Sequence, residues 1–355
     1  MSAARSSANV ASSGGMHGSR DTFRCQRDPI AGMLRARPLG LHVRPPILPM
    51  TSSTPSTVPA VSLSAPGPTL SAIVAGVWRM AEWEFDVPAR IRWIEASLDL
   101  GVTSFDHADI YGDYRVEALF GEALAAAPGL RERMQVITKC GIKLVSRNRP
   151  AHTTKAYDTS RAHVITSVEN SLRALHTDHL DLLLIHRPDA LMDPEALAAT
   201  FAELRAAGKV LHFGVSNHSP SQLALLHRRH SVATNQLELS PLHMAALADG
   251  TLDQCIELGL RPMIWSPLAG GRLFTGGDEQ ALRVRAVLDA LGRAHGVSAA
   301  TIAYAWILRH PSRPVPITGS RRIAALREAV AALSVALTSD EWYQVWQASA
   351  GHGVP

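Results

Sequence analysis

Eight short β-branched or apolar runs, separated by helix-length amphipathic segments, predict an α/β chain folded as a (β/α)8 TIM barrel. The runs fall at residues 72–77, 103–105, 135–138, 181–185, 210–215, 232–236, 262–265 and 315–318. Between them, residues 88–100, 115–126, 161–176, 194–207, 220–229 and 251–258 space their apolar side chains as helices do. The rival architecture, an open dinucleotide-binding sheet, needs G-x-G-x-x-G after its first strand, and the 355-residue chain contains no such sequence and no Walker A loop.

Local signals support the elements in turn. Asp193 before Pro194 and Ser219 before Pro220 read as N-caps followed by proline at the first helical position. Residues 278–295 and 298–309 make two helices between the seventh and eighth strands, and 339–348 make extra helix after the eighth. Residues 58–71, centred on Pro66-Gly67-Pro68, have two readings: an N-terminal hairpin flooring the barrel, or plain linker.

Residues 1–60 are rich in Ser, Arg, Gly and Pro without hydrophobic periodicity, and read as a disordered extension ahead of a barrel at 61–355. A start codon placed too early, with Met50 as the true one, and an organellar transit peptide are the other readings. Arg35, Arg37, Arg44 and Pro45-Pro46 break any apolar stretch a secretory signal would need. This segment holds seven arginines against two aspartates, so the formal +4 belongs to it and the remainder is slightly negative. A near-neutral barrel has no electrostatic footprint for nucleic acid, and no long apolar run suggests a membrane span. The three scattered cysteines, Cys25, Cys140 and Cys255, fit a reducing, cytoplasmic setting and argue against structural zinc. Oligomeric state is not legible, because barrel helices are amphipathic with or without a partner.

The chemistry lies at the strand ends. In such a barrel these ends share one mouth. The second run is followed by Asp106 and then Tyr111, the third ends at Lys139 and the fourth at His186. Singly these read as a turn cap, a packed aromatic, a solvated lysine and a core histidine. Together they suggest a phenol acid tuned by a lysine–carboxylate pair. An ammonium about 4 Å away favours phenolate by up to ~4 kcal/mol at an effective dielectric of ~20, about 3 pKa units from the ordinary ~10. Asp106 would keep Lys139 charged, and His186 would orient the substrate oxygen. Lys139 is one of four lysines in a chain with thirty-one arginines, so a compact ammonium stands where the composition favours a guanidinium.

The later strand ends suit a cofactor. Ser216, Asn217 and Gln236 offer groups able to bracket a carboxamide, and Trp265 offers a face for stacking. Ser266, Leu268, Gly270 and Arg272 form a backbone-rich loop apt for a pyrophosphate. Gly319 and Ser320 run into Arg321-Arg322 at the start of a helix, an anion site that suits the 2′-phosphate of NADPH. Trp78, His107 and Arg187 are expected to line the pocket for a small-molecule carbonyl substrate. Two rival functions share these residues. A metal-dependent hydrolase could use His107, Asp109, Lys139 and His186, but the first run lacks a His-x-His and the last lacks an acid, so no metal is expected. A cofactor-sensing barrel would bind NADPH and turn over poorly.

At these residues the chain resembles the aldo-keto reductases. The resemblance rests on residues 101–112 with Glu117 and Gly121, Val136-Ile-Thr-Lys139, residues 181–188, Gly214-Val-Ser-Asn217, Asn235-Gln236 and Trp265-Ser-Pro-Leu268. Within the family, Lys139-Cys-Gly-Ile142 and Gly270-Gly-Arg-Leu-Phe274 are similar to the bacterial YdhF-like branch. It implies a (β/α)8 barrel, NADPH, and a tetrad of Tyr111, Lys139, Asp106 and His186. It also implies nicotinamide contacts from Ser216, Asn217 and Gln236, with Trp265 stacking on the ring. Arg327 stands near where the family often has an asparagine beside the cofactor, and Arg187 replaces an aromatic that often follows the histidine.

Overall fold

Alternation of side chains across the strands builds two cores from one set of strands. In Leu180–Ile185, Leu182 and Leu184 join an inner cluster with Val74, Ile137, Ala233, Met263, Val315 and Ile317, whereas Leu183 and Ile185 face the surrounding helices. The computed structural model describes residues 58–354. The extension expected over residues 1–60 falls, through residue 57, outside the described residues.

Twelve strands are described: β1 (Ala60–Ser62), β2 (Thr69–Ser71), β3 (Val74–Gly76), β4 (Ser104–Asp106), β5 (Gln135–Cys140), β6 (Ile142–Lys143), β7 (Ala156–Tyr157), β8 (Leu180–Ile185), β9 (Val210–Ser216), β10 (Asn235–Glu238), β11 (Met263–Trp265) and β12 (Val315–Thr318). The helices are α1 (Val87–Asp99), α2 (Tyr111–Tyr114), α3 (Val116–Ala126), α4 (Arg161–Leu175), α5 (Pro194–Ala206), α6 (Pro220–His227), α7 (Thr251–Glu257), α8 (Arg272–Thr275), α9 (Glu279–His295), α10 (Ala299–Leu308), α11 (Ile323–Ala331) and α12 (Ser339–Ala350). Strands β3, β4, β5, β8, β9, β10, β11 and β12 pair in parallel in that order, and β12 returns to β3 to close the barrel. The (β/α)8 expectation holds. Among the described residues no helix is long and apolar enough to cross a membrane.

Of the two readings of residues 58–71, the hairpin is the one formed. β1 and β2 pair antiparallel, with Val61 opposite Leu70. Leu63 and Leu70 are fully buried and plug the inner cluster from below, and Leu63 O accepts from the Arg261 N–H at 2.7 Å. The sixth barrel strand differs from the sequence reading: it begins at Asn235, not Val232, and runs to Glu238. Residues 232–234 do pair with β9, Ala233 N–H donating to Phe213 O at 2.7 Å. On the other side the Thr234 hydroxyl replaces the ladder, donating to Arg261 O and accepting from Met263 N–H, so two-sided pairing starts only at Gln236.

Helix starts follow their caps. Asp193 accepts from Glu195 and Ala196 N–H, and Ser219 forms a capping box with Gln222. Helices α3 and α4 meet at Gly121, where a Cβ would lie 1.9 Å from Ala174 O, so only glycine admits the approach. The extra helix α9 packs against both α10 and α12, and α10 and α12 are joined through Trp306 and Trp342. These indoles stack at 5.1 Å and 9°, and each N–H donates to the other's backbone carbonyl at 3.0 Å.

Candidate active site

Strand ends deliver the four expected residues to one mouth. Ile137 and Lys139 alternate inward on β5, so Lys139 rises along the barrel interior and is only 1% exposed. Its ammonium has three donors and three acceptors in reach: Asp106 Oδ2 at 2.7 Å, His107 O at 2.7 Å and Tyr111 Oη at 3.0 Å. Burial opposes the charge, but the Asp106 carboxylate and then the phenol more than offset it, and the lysine sits above its ordinary pKa. Tyr111 follows β4 on the single turn α2 and lies edge-on to His186, with ring centroids 5.9 Å apart at 80°. Burial, followed by Lys139 and Arg187, holds the His186 imidazole well below 6.5, so it faces the mouth neutral.

The phenol departs from the expectation built on the ammonium alone. Burial raises Tyr111 above its usual value near 10, with Lys139 pulling the other way and Asp106 adding to the rise. Low dielectric costs a phenolate more than one lysine returns, so Tyr111 keeps its proton at neutral pH.

His107 requires a correction. It was expected in the substrate pocket, but it points out of the barrel into the layer beneath α3, with no exposed surface and its ring edge-on to Phe120 at 4.5 Å. The cause is strand alternation: Asp106 faces in, so the next residue faces out. Burial, aided by Lys139, pushes this imidazole down to about 3, and neither ring nitrogen has a hydrogen-bond partner. The other two pocket residues do reach the mouth. Trp78 is 55% exposed and lies 6.5 Å from the Tyr111 ring. Arg187 places its guanidinium 5.6 Å above the Trp265 ring, and no carboxylate among the described residues pairs with it.

On the side expected to take a cofactor, Ser216, Asn217, Gln236 and Trp265 converge. Asn217 adopts φ 57° and donates to Ser216 Oγ at 2.8 Å, while its oxygen accepts from the Trp265 indole N–H at 3.0 Å. Ser216 Oγ donates to Gln236 O at 2.9 Å. Ser266, Leu268 and Gly270 form a tight turn after β11, with φ 52° at Ser266 and 65° at Gly270. Arg79, stacked on Trp78, donates to Gly270 O at 3.2 Å and so ties this turn to the mouth. Arg272 stands beside the turn, but its guanidinium is taken up by Asp278 at 3.0 Å and Gln280 at 3.1 Å. After β12, Gly319 and Ser320 lead to Arg322, which opens α11 without a side-chain cap; Arg322 and Arg327 are exposed. A helix start without a side-chain cap, flanked by exposed guanidinium groups and with an amide cluster beside an indole, is a donor set that fits a nicotinamide dinucleotide.

Two features have no counterpart in the sequence reading of chemistry. Glu117, on α3, accepts from Thr138 Oγ1 at 2.5 Å and Ser171 Oγ at 2.9 Å, tying α3 and α4 to the strand that carries Lys139. Its burial raises the carboxyl to about 7, and burial and then Glu117 raise neighbouring Asp109 well above the usual range. Also, Gln236 Nε2 donates to Asp106 Oδ1 at 2.8 Å. Glu117 entered the sequence analysis only as part of the family resemblance, and nothing linear in the chain pairs residues 106 and 236.

Comparison with known proteins agrees with this architecture. The aldo/keto reductase family profile matches residues 72–350. Oxidoreductase YdhF of Escherichia coli K12 is 48% identical over 300 residues, covering 84% of this chain and 100% of that protein. A 6-dehydroglucose reductase of Agrobacterium fabrum is 42% identical over 288 residues, covering 80% of this chain and 96% of its own. Among solved structures, a thermostable aldo-keto reductase in complex with the inhibitor epalrestat matches with a TM-score of 0.68 at 25% identity, covering 82% of this chain and 99% of that one. A glycerol dehydrogenase from Gluconobacter oxydans shares the fold, with a TM-score of 0.71 at 24% identity over 85% of this chain and 97% of its own. A closed parallel barrel and a family match over most of its length lead to one conclusion: the chain belongs to the aldo/keto reductase family of NAD(P)H-dependent oxidoreductases.

Proposed function

We propose that the protein reduces an aldehyde or ketone to the alcohol, with NADPH as cofactor and Tyr111 as proton donor. The observation that carries this reading is the Lys139 ammonium, held by Asp106, the His107 carbonyl and the Tyr111 hydroxyl at once. Bound NADPH supplies the hydride. Ser216, Asn217 and Gln236 would hold the carboxamide end of the cofactor, Trp265 would stack on its ring, and Arg322 would meet the 2′-phosphate. Neutral His186 donates an N–H to the substrate oxygen and fixes its angle. As negative charge grows on that oxygen, Tyr111 Oη gives up its proton, and Lys139 stabilises the phenolate left behind. Asp106 keeps the lysine charged through the cycle.

Trp78 and Arg187 form the walls we assign to the substrate. An unpaired guanidinium next to the reacting centre favours a small carbonyl compound that carries further oxygens. That fits the name of the Agrobacterium relative, a 6-dehydroglucose reductase. The two buried thiols, Cys140 and Cys255, suit a reducing cytoplasmic setting. A panel of sugar-derived aldehydes, simple aldehydes, ketones and quinones, read by NADPH consumption, tests the activity. Tyr111→Phe keeps the ring and removes the proton, so its rate is expected to fall by ~10²–10⁴ with NADPH affinity within a few-fold of wild type. Unchanged turnover in that variant overturns the assignment.

A further inference from the structure

Asp106 and Gln236 come from β4 and β10, which face each other across the barrel axis. Their side chains nevertheless meet: Gln236 Nε2 lies 2.8 Å from Asp106 Oδ1, while Asp106 Oδ2 lies 2.7 Å from Lys139 Nζ. The amide orientation is fixed, because turning its oxygen to Asp106 would set two acceptors together. Asp106 is 3% exposed, and the other group close to Nε2 is the Met263 thioether at 4.0 Å, which has nothing to donate.

We propose that Gln236 is a positioning residue for the acid: by holding the second oxygen of Asp106 it fixes the line from carboxylate to ammonium to phenol, and so sets the pH range over which Tyr111 delivers its proton. This rests on the reading of Tyr111 as the acid. A carboxylate with one oxygen bare in a dry interior draws its remaining donor in more strongly. Here that donor is Lys139, and its contact to Tyr111, at 3.0 Å, is the longest of its three. Without Gln236 the ammonium moves toward Asp106 and away from the phenol. The charged and titratable groups around the phenol are Lys139 from β5, Asp106 from β4, and His186 and Arg187 after β8, with His107 behind the lysine. The two histidines stay neutral, so the Asp106–Lys139 pair carries the change. The side chain that borders the nicotinamide site therefore also holds the proton donor in register.

The test is the pH dependence of kcat for carbonyl reduction at saturating NADPH in Gln236→Met, which keeps the volume, and in Gln236→Asn, which keeps an amide but falls short of Asp106. Both are expected to move the alkaline limb upward by about half to one pH unit and to lower kcat about tenfold. Ser216→Ala, which alters the same cofactor edge without touching Asp106, is expected to raise the KM for NADPH and leave the limb in place. Gln236 variants that raise only this KM, or that shift the limb downward, overturn the proposal. Tyr111→Phe, run beside them, separates the two failures: a collapsed rate there with an unmoved limb in the Gln236 variants removes the coupling alone, and an unchanged rate removes the acid.

Discussion

Lys139 illustrates how much one residue can organise when every donor it owns is spoken for. Three hydrogen bonds orient the ammonium without freedom to rotate, so its field falls on the Tyr111 oxygen from a fixed direction. At the other end of the proposed cofactor groove, Arg322 has the opposite character, exposed and without a carboxylate partner among the described residues. A 2′-phosphate can meet it and the start of α11 together, whereas NADH offers only hydroxyls there. Arg322→Ala is therefore expected to weaken NADPH binding roughly ten- to a hundred-fold and to leave NADH binding within about two-fold, measured by fluorescence quenching. Equal loss for both cofactors would move the phosphate site elsewhere. The residues gathered at the mouth were legible because each stands as a polar ending to an apolar run. His107 was misread because its neighbour Asp106 faces the mouth, and strand alternation sends consecutive side chains to opposite faces. The bond from Gln236 to Asp106 was invisible, since 130 residues separate the partners and only the barrel brings them together.

At the scale of elements, Glu117 binds three of them. Its carboxyl takes hydrogen bonds from Thr138 on β5 and Ser171 on α4 while it stands on α3. Burial raises it to about 7 from 4.5, so between these values the folded protein holds a proton that the unfolded chain has released. Stability from this group therefore declines as pH rises from about 4.5 to 7, by about 3 kcal/mol in all. Glu117→Gln carries no such proton. Its stability relative to wild type, from urea melts, should improve by that order between pH 5 and pH 8; a difference that does not vary with pH would refute the buried-carboxyl account. The eight barrel strands were readable from composition, since a parallel sheet covered on both faces gives short apolar runs. The small β6–β7 ribbon over residues 142–157 was not, because it is two residues deep and has no hydrophobic period to detect.

For the whole molecule, the floor hairpin is a structural part of the barrel. Leu63 and Leu70 close the bottom of the inner cluster on which Ile137, the residue two below Lys139, also rests. Leu70→Ala leaves a void there and should cost about 2–5 kcal/mol, seen as a lower thermal midpoint. Catalysis at a temperature where the variant is folded should be close to wild type, because the mouth lies at the opposite end; a selective loss of kcat without loss of stability would contradict this division.

The seam between β12 and β3 has a consequence for synthesis. The last barrel strand leaves the ribosome long after Asp106, Tyr111, Lys139, His186 and Trp265 have all emerged. Until then β3 and β11 present unpaired backbone edges, the kind of surface to which other chains adhere. A transcript truncated before residue 315 therefore encodes every proposed catalytic group and still yields a sticky, open seven-stranded sheet in place of a smaller enzyme. For this chain the arrival of β12 decides between a closed barrel and a substrate for chaperones.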